Sequence, residues 1–254
     1  MKKLLLFCSI VILMAVSCKK EDTDGNSVQI KYPASAVVIR DAVTDIDGNR
    51  YDAVQIGEQV WLSRNLCATR FADGTSIAEG SDISREEAFR YTPNSSDGIC
   101  GFLYNWKAAV HGDIGGENKS SSVQGVCPNG WHLPSEAEWH QLTDYLSSHS
   151  EYVCHGTGEN VAKAIAYSRD WVKYGAGCAI GNSLEDNNAT GFSAVPVGFY
   201  PGSFNNYGYT ATFWTSTESD SISAIAANLY VSDSVVHTTV CDRVGGLSVR
   251  CVRN

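Results

Sequence analysis

The chain has 254 residues, of which 43% are apolar, 10% aromatic and 19% charged, a balance that suits a packed globular protein and excludes a disordered or collagen-like one. Its 19 Lys and Arg against 28 Asp and Glu give a formal net charge of -9, which repels phosphate backbones and argues against nucleic acid as a partner. The 23 Gly beside 2 Met and 6 Pro point to many turns rather than long helices, in one domain.

Lys2 and Lys3 precede the apolar run Leu4–Val16, whose 13 residues match a signal-peptide core and are too few to span a bilayer. The run closes on Leu13-Met14-Ala15-Val16-Ser17-Cys18, which resembles a bacterial lipobox, where a small residue precedes a Cys that receives a diacylglycerol before cleavage. On that reading residues 1–17 are a signal peptide, Cys18 is the lipidated mature N-terminus, and residues 18–40 tether a domain over 41–254. Several acyl chains on one residue exceed the two signals that stable anchoring needs, so the membrane is a partner through Cys18 without being crossed. Loss of Lys2 and Lys3 moves the formal charge from -9 to -11, and attraction to an acidic lipid surface is not expected. Lys20-Glu21-Asp22 looks like the export tags that send some lipoproteins to the outer face of the outer membrane, although a solvated tether explains the same residues. The expected location is the outer membrane, at the cell surface.

Asp45-Ile46-Asp47-Gly48-Asn49 lies between residues of strand character, with Val54, Ile56, Val60 and Leu62 following in near alternation, and reads as a β-hairpin. Asp-x-Asp-Gly also opens calcium loops, but the later acidic ligands of such a loop do not follow. Ser84 with Glu87 and Ser135 with Glu138 both have the spacing of a capping box, and each is expected to start a helix. After Ser135, residues Trp139, Leu142, Tyr145 and Leu146 share one helical face. Val161–Tyr167 reads as a shorter helix, and the Gly-, Asn-, Ser- and Tyr-rich stretch from Gly175 reads as long loops between short strands. Alternation returns at Ile225, Ala227, Leu229 and Val231, then over Val235–Val240, then at Leu247, Val249, Cys251 and Val252, the expected last strands of a sheet.

Besides Cys8 and Cys18, seven cysteines remain, and in an exported domain disulfides are the default. Seven is odd, so at least one thiol is left free or is bridged outside the chain. No C-x-x-C pair occurs, which makes a zinc knuckle a poor fit.

Seven blocks in order resemble the Fibrobacter succinogenes major paralogous domain, over about residues 43–252. They are Thr44–Tyr51, Ile56–Trp61 with Asn65-Leu66, Tyr104-Asn105-Trp106 with Ala108-Ala109, and Cys127–Ser135 with Glu138-Trp139. Gly191-Phe192-Ser193 with Pro196 and Gly198, Phe213–Glu218, and Ser248–Cys251 complete the set. The resemblance implies a bacterial surface lipoprotein of undefined function and a C-type-lectin-like fold. That fold is α+β, with short helices around a small twisted antiparallel sheet and long loops. The more distant likeness to C-type lectins implies a bridge between Cys127 and Cys251, and leaves Cys241 without an assigned partner.

The calcium-chelating triplets of sugar-binding lectins are absent, and Glu185-Asp186-Asn187-Asn188 reads as a solvated turn, so no metal and no cofactor is expected. Trp131–Trp139 also resembles a stretch of the formylglycine-generating enzymes, but the shared stretch is a helix start, and Cys241 and Cys251 do not reproduce their cysteine pattern. Neither G-x-S-x-G nor a P-loop occurs. Glu136, Glu138, His132 and His140 are explained by helix-start electrostatics and polar packing, and no catalysis is expected. Trp61, Trp106, Trp131, Trp139 and Trp214 fall in the blocks, where large rings fill a core.

The ligand candidates lie in the loop Tyr200–Tyr209, where Asn205, Asn206, Tyr207 and Tyr209 are residue types that make amphipathic, hydrogen-bonding surfaces. The expected function is a surface-anchored binding or adhesion module for a glycan or a cell-surface protein. The alternatives are a structural envelope protein in an assembly and an enzyme related to the formylglycine-generating ones.

Overall fold

The computed structural model describes residues 32–254 except 94–100, 113–121, 157 and 176. Residues 1–17, read as a signal peptide, Cys18, read as a lipidation site, and Cys100 lie outside the described residues.

Strands β1 (Val37–Thr44) and β2 (Arg50–Ile56) form the first hairpin, so residues 37–40, read as the end of a tether, are paired into sheet. Asp45 builds the turn: Oδ1 accepts the N–H groups of Asp47 and Asn49 at 3.0 and 2.9 Å, and Oδ2 accepts the Tyr51 hydroxyl at 2.7 Å. A Gly57-Glu58 turn leads into β3 (Gln59–Leu62), which pairs with β2 from Ile56↔Gln59 to Ala53↔Leu62. The short strands β4 (Ala78–Glu79), β5 (Phe89–Tyr91) and β6 (Leu103–Tyr104) follow, then helix α1 (Trp106–Val110) and β7 (Trp131–His132). Helices α2 (Glu136–Ser147) and α3 (Ala162–Ile165) precede the strands β8 (Thr210–Glu218), β9 (Ser223–Tyr230), β10 (His237–Asp242), β11 (Leu247–Ser248) and β12 (Val252–Arg253).

The expected fold class requires correction. Among the described residues two sheets are present, of five strands in the order β1-β2-β3-β12-β7 and of seven in the order β10-β9-β8-β11-β6-β5-β4. With helices of 5, 12 and 4 residues, the protein is mostly β and is not a single small sheet with helices around it. The second sheet is mixed, since β11 runs parallel to β8 and β4 parallel to β5.

The reason lies in strands buried on both faces. In β8 and β9 the pairs Phe213↔Ala227 and Trp214↔Ala226 set a large ring against alanine on opposite faces. Trp214 and Ala226 belong to one core cluster, with Tyr51, Trp106 and Trp131, while Phe213 and Ala227 belong to another, with Trp61, Trp139 and Phe192. The C-terminal segment read as last strands divides between the sheets, β11 in the seven-stranded one and β12 in the five-stranded one.

The Ser135 capping box forms as expected, with Ser135 Oγ accepting the Glu138 N–H at 3.3 Å and Glu138 Oε2 accepting the Ser135 N–H at 2.8 Å. No helix follows Ser84. Its hydroxyl accepts the N–H groups of Glu86 and Glu87, but Asn105 Nδ2 donates to the carbonyls of Ser84 and Glu87 at 2.9 and 2.7 Å and pins them open. The chain then enters β5, where Tyr91 pairs with Leu103. The Val161–Tyr167 helix shrinks to the four residues of α3.

Candidate functional site

The loop Tyr200–Tyr209 is shaped by its backbone before its side chains. Phe199 and Asn205 exchange both main-chain hydrogen bonds, at 3.1 and 3.0 Å, and close its neck. Gly198 beneath has φ +75°, and a β-carbon there would fall 1.9 Å from the Asn205 carbonyl oxygen, so only glycine permits this approach. Asn206 takes the left-handed backbone at φ +60°, which Asn tolerates, and its carbonyl accepts the N–H groups of Tyr209 and Thr210 at 3.0 and 3.2 Å. Asn205 Nδ2 donates to Ser203 O at 2.9 Å, so this amide partly serves its own loop. Tyr207 and Tyr209 stand 46% and 50% exposed.

Two residues that sequence reasoning missed complete the surface. Val172 N–H donates to Gly208 O, Val231 N–H to Tyr209 O, Gly181 N–H to Val231 O and Tyr174 N–H to Gly181 O, each at 2.9 Å. These main-chain bonds tie the segment that carries Val172 and Tyr174, 39% and 45% exposed, to the backbone of Gly208 and Tyr209. Contact is close beneath them: a β-carbon on Gly181 would meet Tyr174 Cβ and Val231 Cγ2 at 2.7 Å, and one on Gly208 would meet Val172 Cγ2 at 3.1 Å. Nothing in the sequence joined Val172 and Tyr174 to residues more than thirty positions later.

Grouped exposed apolar surface on an otherwise buried aromatic inventory is informative, since the six tryptophans are all at most 4% exposed. Three tyrosine rings offer flat apolar faces with hydroxyls at their rims. The hydrogen-bonded backbone holds them before any ligand arrives, which lowers the ordering cost of binding.

His132 and Glu138 are engaged in structure. His132 Nε2 lies 2.7 Å from Glu138 Oε1 and Nδ1 lies 2.7 Å from Asn254 Oδ1, while Ser135 Oγ bonds Glu138 Oε2 at 2.8 Å. The carboxylate therefore stands between the serine hydroxyl and the imidazole. Burial pulls His132 down, but its bonds to Glu138 and Asn254 overcome this and leave its pKa above the ordinary histidine value. Burial likewise pushes Glu138 up, and the bonds from His132 and Ser135 bring it below the ordinary carboxylate value. The sequence placed no charge partner for His132, because Glu138 reaches it only through the turn from β7 into α2.

Asn187 and Asn188 of the acidic loop turn inward, Asn187 Nδ2 to Ile180 O at 3.2 Å and Asn188 Nδ2 to Ser193 Oγ at 2.8 Å. Lys163 stands behind that loop, donating to the carbonyls of Asn182 and Ser183. An open groove of about 730 Å³ runs between the Gly57 turn and α2, but its inner amides are paired, Gln59 Nε2 with Glu138 O at 2.9 Å.

Cys127 and Cys251 are joined across 124 residues with both cysteines fully buried, and a second bridge joins Cys154 to Cys178. Cys241 is outside both bridges, half-buried on β10, and burial pushes its thiol pKa up, which makes it a poor nucleophile for an intermolecular bridge.

A family model described as the Fibrobacter succinogenes major domain matches residues 54–253. No curated protein and no solved structure matches the chain.

Proposed function

The chain belongs to the Fibrobacter succinogenes major domain family, an uncharacterised domain family, and from that premise we propose that it is a non-catalytic binding module that recognises a glycan. The observation that carries this reading is the exposed surface of Tyr174, Tyr207, Tyr209 and Val172, held by main-chain hydrogen bonds. A sugar ring presents an apolar C–H face and a rim of hydroxyls, which suits a tyrosine face with a polar edge. Binding on this reading needs no metal. Signal-like residues 1–17 and the lipobox-like Cys18 support display from the outer membrane, on the cell surface.

The test is a glycan-array screen of the oxidised protein with calcium and with a chelator. Saturable binding that survives the chelator is the expected result. Binding lost with the chelator, or a blank array from folded protein, overturns the metal-independent glycan reading, and the blank array shifts the ligand to a cell-surface protein.

A further inference from the structure

The Cys154–Cys178 bridge differs from its counterpart in both access and company. Cys154 and Cys178 are partly exposed, whereas Cys127 and Cys251 are fully enclosed. Thiol attack on a disulfide requires access to a sulfur, so a dithiol reductant reaches the first bridge and not the second. Beside it stands His155, exposed, with the two sulfurs and a ring nitrogen all within 4.8 Å of one another.

Two loops joined only by a disulfide would separate once it opened, but these have a second tie. Cys154 N–H donates to Asn160 O at 3.0 Å, and Asn160 Oδ1 accepts the Ser234 hydroxyl at 2.7 Å. On the other side Ile180 N–H donates to Asp233 O at 3.0 Å, two residues from Cys178. Both cysteines are thereby tethered to the Asp233-Ser234 turn, which is closed by Asp233 Oδ1 and braced by His237 Nε2 at 2.7 Å from Asp233 Oδ2. None of these bonds involves sulfur. His155 is held in a left-handed backbone at φ +65°, inside a turn closed by Gly156 N–H to Val153 O at 2.8 Å. Its exposed ring contributes nothing to the core that would explain that conformation.

We propose that reduction converts this bridge into a binding site for a divalent cation of the zinc class, with Cys154, Cys178 and His155 as ligands. A dithiol supplies two electrons and two protons: its own sulfurs become a disulfide, and Cys154 and Cys178 become thiols. Cation binding then releases those two protons, because the ligands are thiolates. Two thiolates and one imidazole form the donor set of tetrahedral zinc sites that keep a fourth position open to solvent. The site makes cation binding conditional on the redox state around the protein.

The test uses the full chain, cobalt(II) as the spectroscopic probe, and mass mapping of alkylated cysteines. Mild dithiol treatment is expected to open Cys154–Cys178 while leaving Cys127–Cys251 closed and the circular dichroism unchanged. After removal of the reductant, one equivalent of cobalt is expected to bind with thiolate charge-transfer and tetrahedral d–d absorption, and none to bind the oxidised chain. His155→Asn keeps a side chain suited to the left-handed backbone and is expected to weaken binding at least about tenfold. Cys154→Ser with Cys178→Ser is expected to abolish it. Any of four outcomes overturns the proposal: equal reduction of both bridges, loss of fold on reduction, no cobalt spectrum from the reduced chain, or unchanged affinity in His155→Asn.

Discussion

The guanidinium carbon of Arg250 lies 4.3 Å from the centre of the Phe192 ring, and its Nη1 donates to the Phe192 carbonyl of the same residue. Further bonds run from Arg250 to Leu62 O at 3.1 Å, Asn65 Oδ1 at 2.6 Å and Ser193 O at 3.1 Å. The residue is fully buried, and burial pulls its pKa down to about 9, so it still carries its charge at neutral pH. One cation thus joins the β3 end, the Phe192-Ser193 turn and the C-terminal segment. Arg250→Leu would leave several buried carbonyls without a donor, at about 1–3 kcal/mol each. Urea unfolding should show a loss of about 3 kcal/mol or more, and a smaller loss in Arg250→Lys, which keeps the charge but not the fork of donors.

The Ser135 and Ser84 signatures look alike in sequence and differ in the fold, and their alanine variants should differ accordingly. Ser135→Ala removes a formed cap and is expected to cost about 1 kcal/mol. Ser84→Ala, with no helix behind it, should stay within about 0.5 kcal/mol of the parent in the same urea titration.

This contrast shows what was readable in the chain. Short-range signals carried the α2 helix and the Asp45 hairpin, because their decisive partners lie within six residues. The failure at Ser84 arises from Asn105, eighteen to twenty-one residues away, whose amide captures the turn. The second sheet escaped notice for a similar reason: β8 is Thr- and aromatic-rich with both faces buried, so neither a loop composition nor a clean alternation describes it. At the site, Tyr207 and Tyr209 were named from local composition, whereas Val172 and Tyr174 are neighbours only through the hydrogen bonds of Gly208 and Gly181.

The His132 and Glu138 pair predicts a defined pH window. The raised His132 pKa stabilises the fold below the ordinary histidine value of about 6.5, and this is lost as pH rises through the folded value. The lowered Glu138 pKa stabilises above the ordinary value of about 4.5, and this is lost as pH falls through the folded value. The stability gap between parent and His132→Gln should therefore be greatest between about pH 4.5 and 6.5, on the order of 2 kcal/mol, and shrink on both sides. Thermal melts of both proteins across pH 4 to 9 read this directly.

The two disulfides should contribute unequally. Cys127→Ala with Cys251→Ala opens the larger loop, of 124 residues, and the chain-entropy treatment gives a loss of about 4–5 kcal/mol. Cys154→Ala with Cys178→Ala opens a loop of 24 residues and should cost about 3 kcal/mol, measurable by guanidinium unfolding under oxidising conditions.

The central claim is that the tyrosine surface captures a ligand. Its most direct test takes the strongest glycan from an array and compares its affinity for the parent, for Tyr207→Ala with Tyr209→Ala, and for Tyr174→Ala, with folding checked by circular dichroism. Side chains that anchor a ligand cost 1 kcal/mol or more when truncated, so each variant should bind at least about fivefold more weakly and the double variant more weakly still. Parent affinity retained in all of them, with the fold intact, would contradict the account.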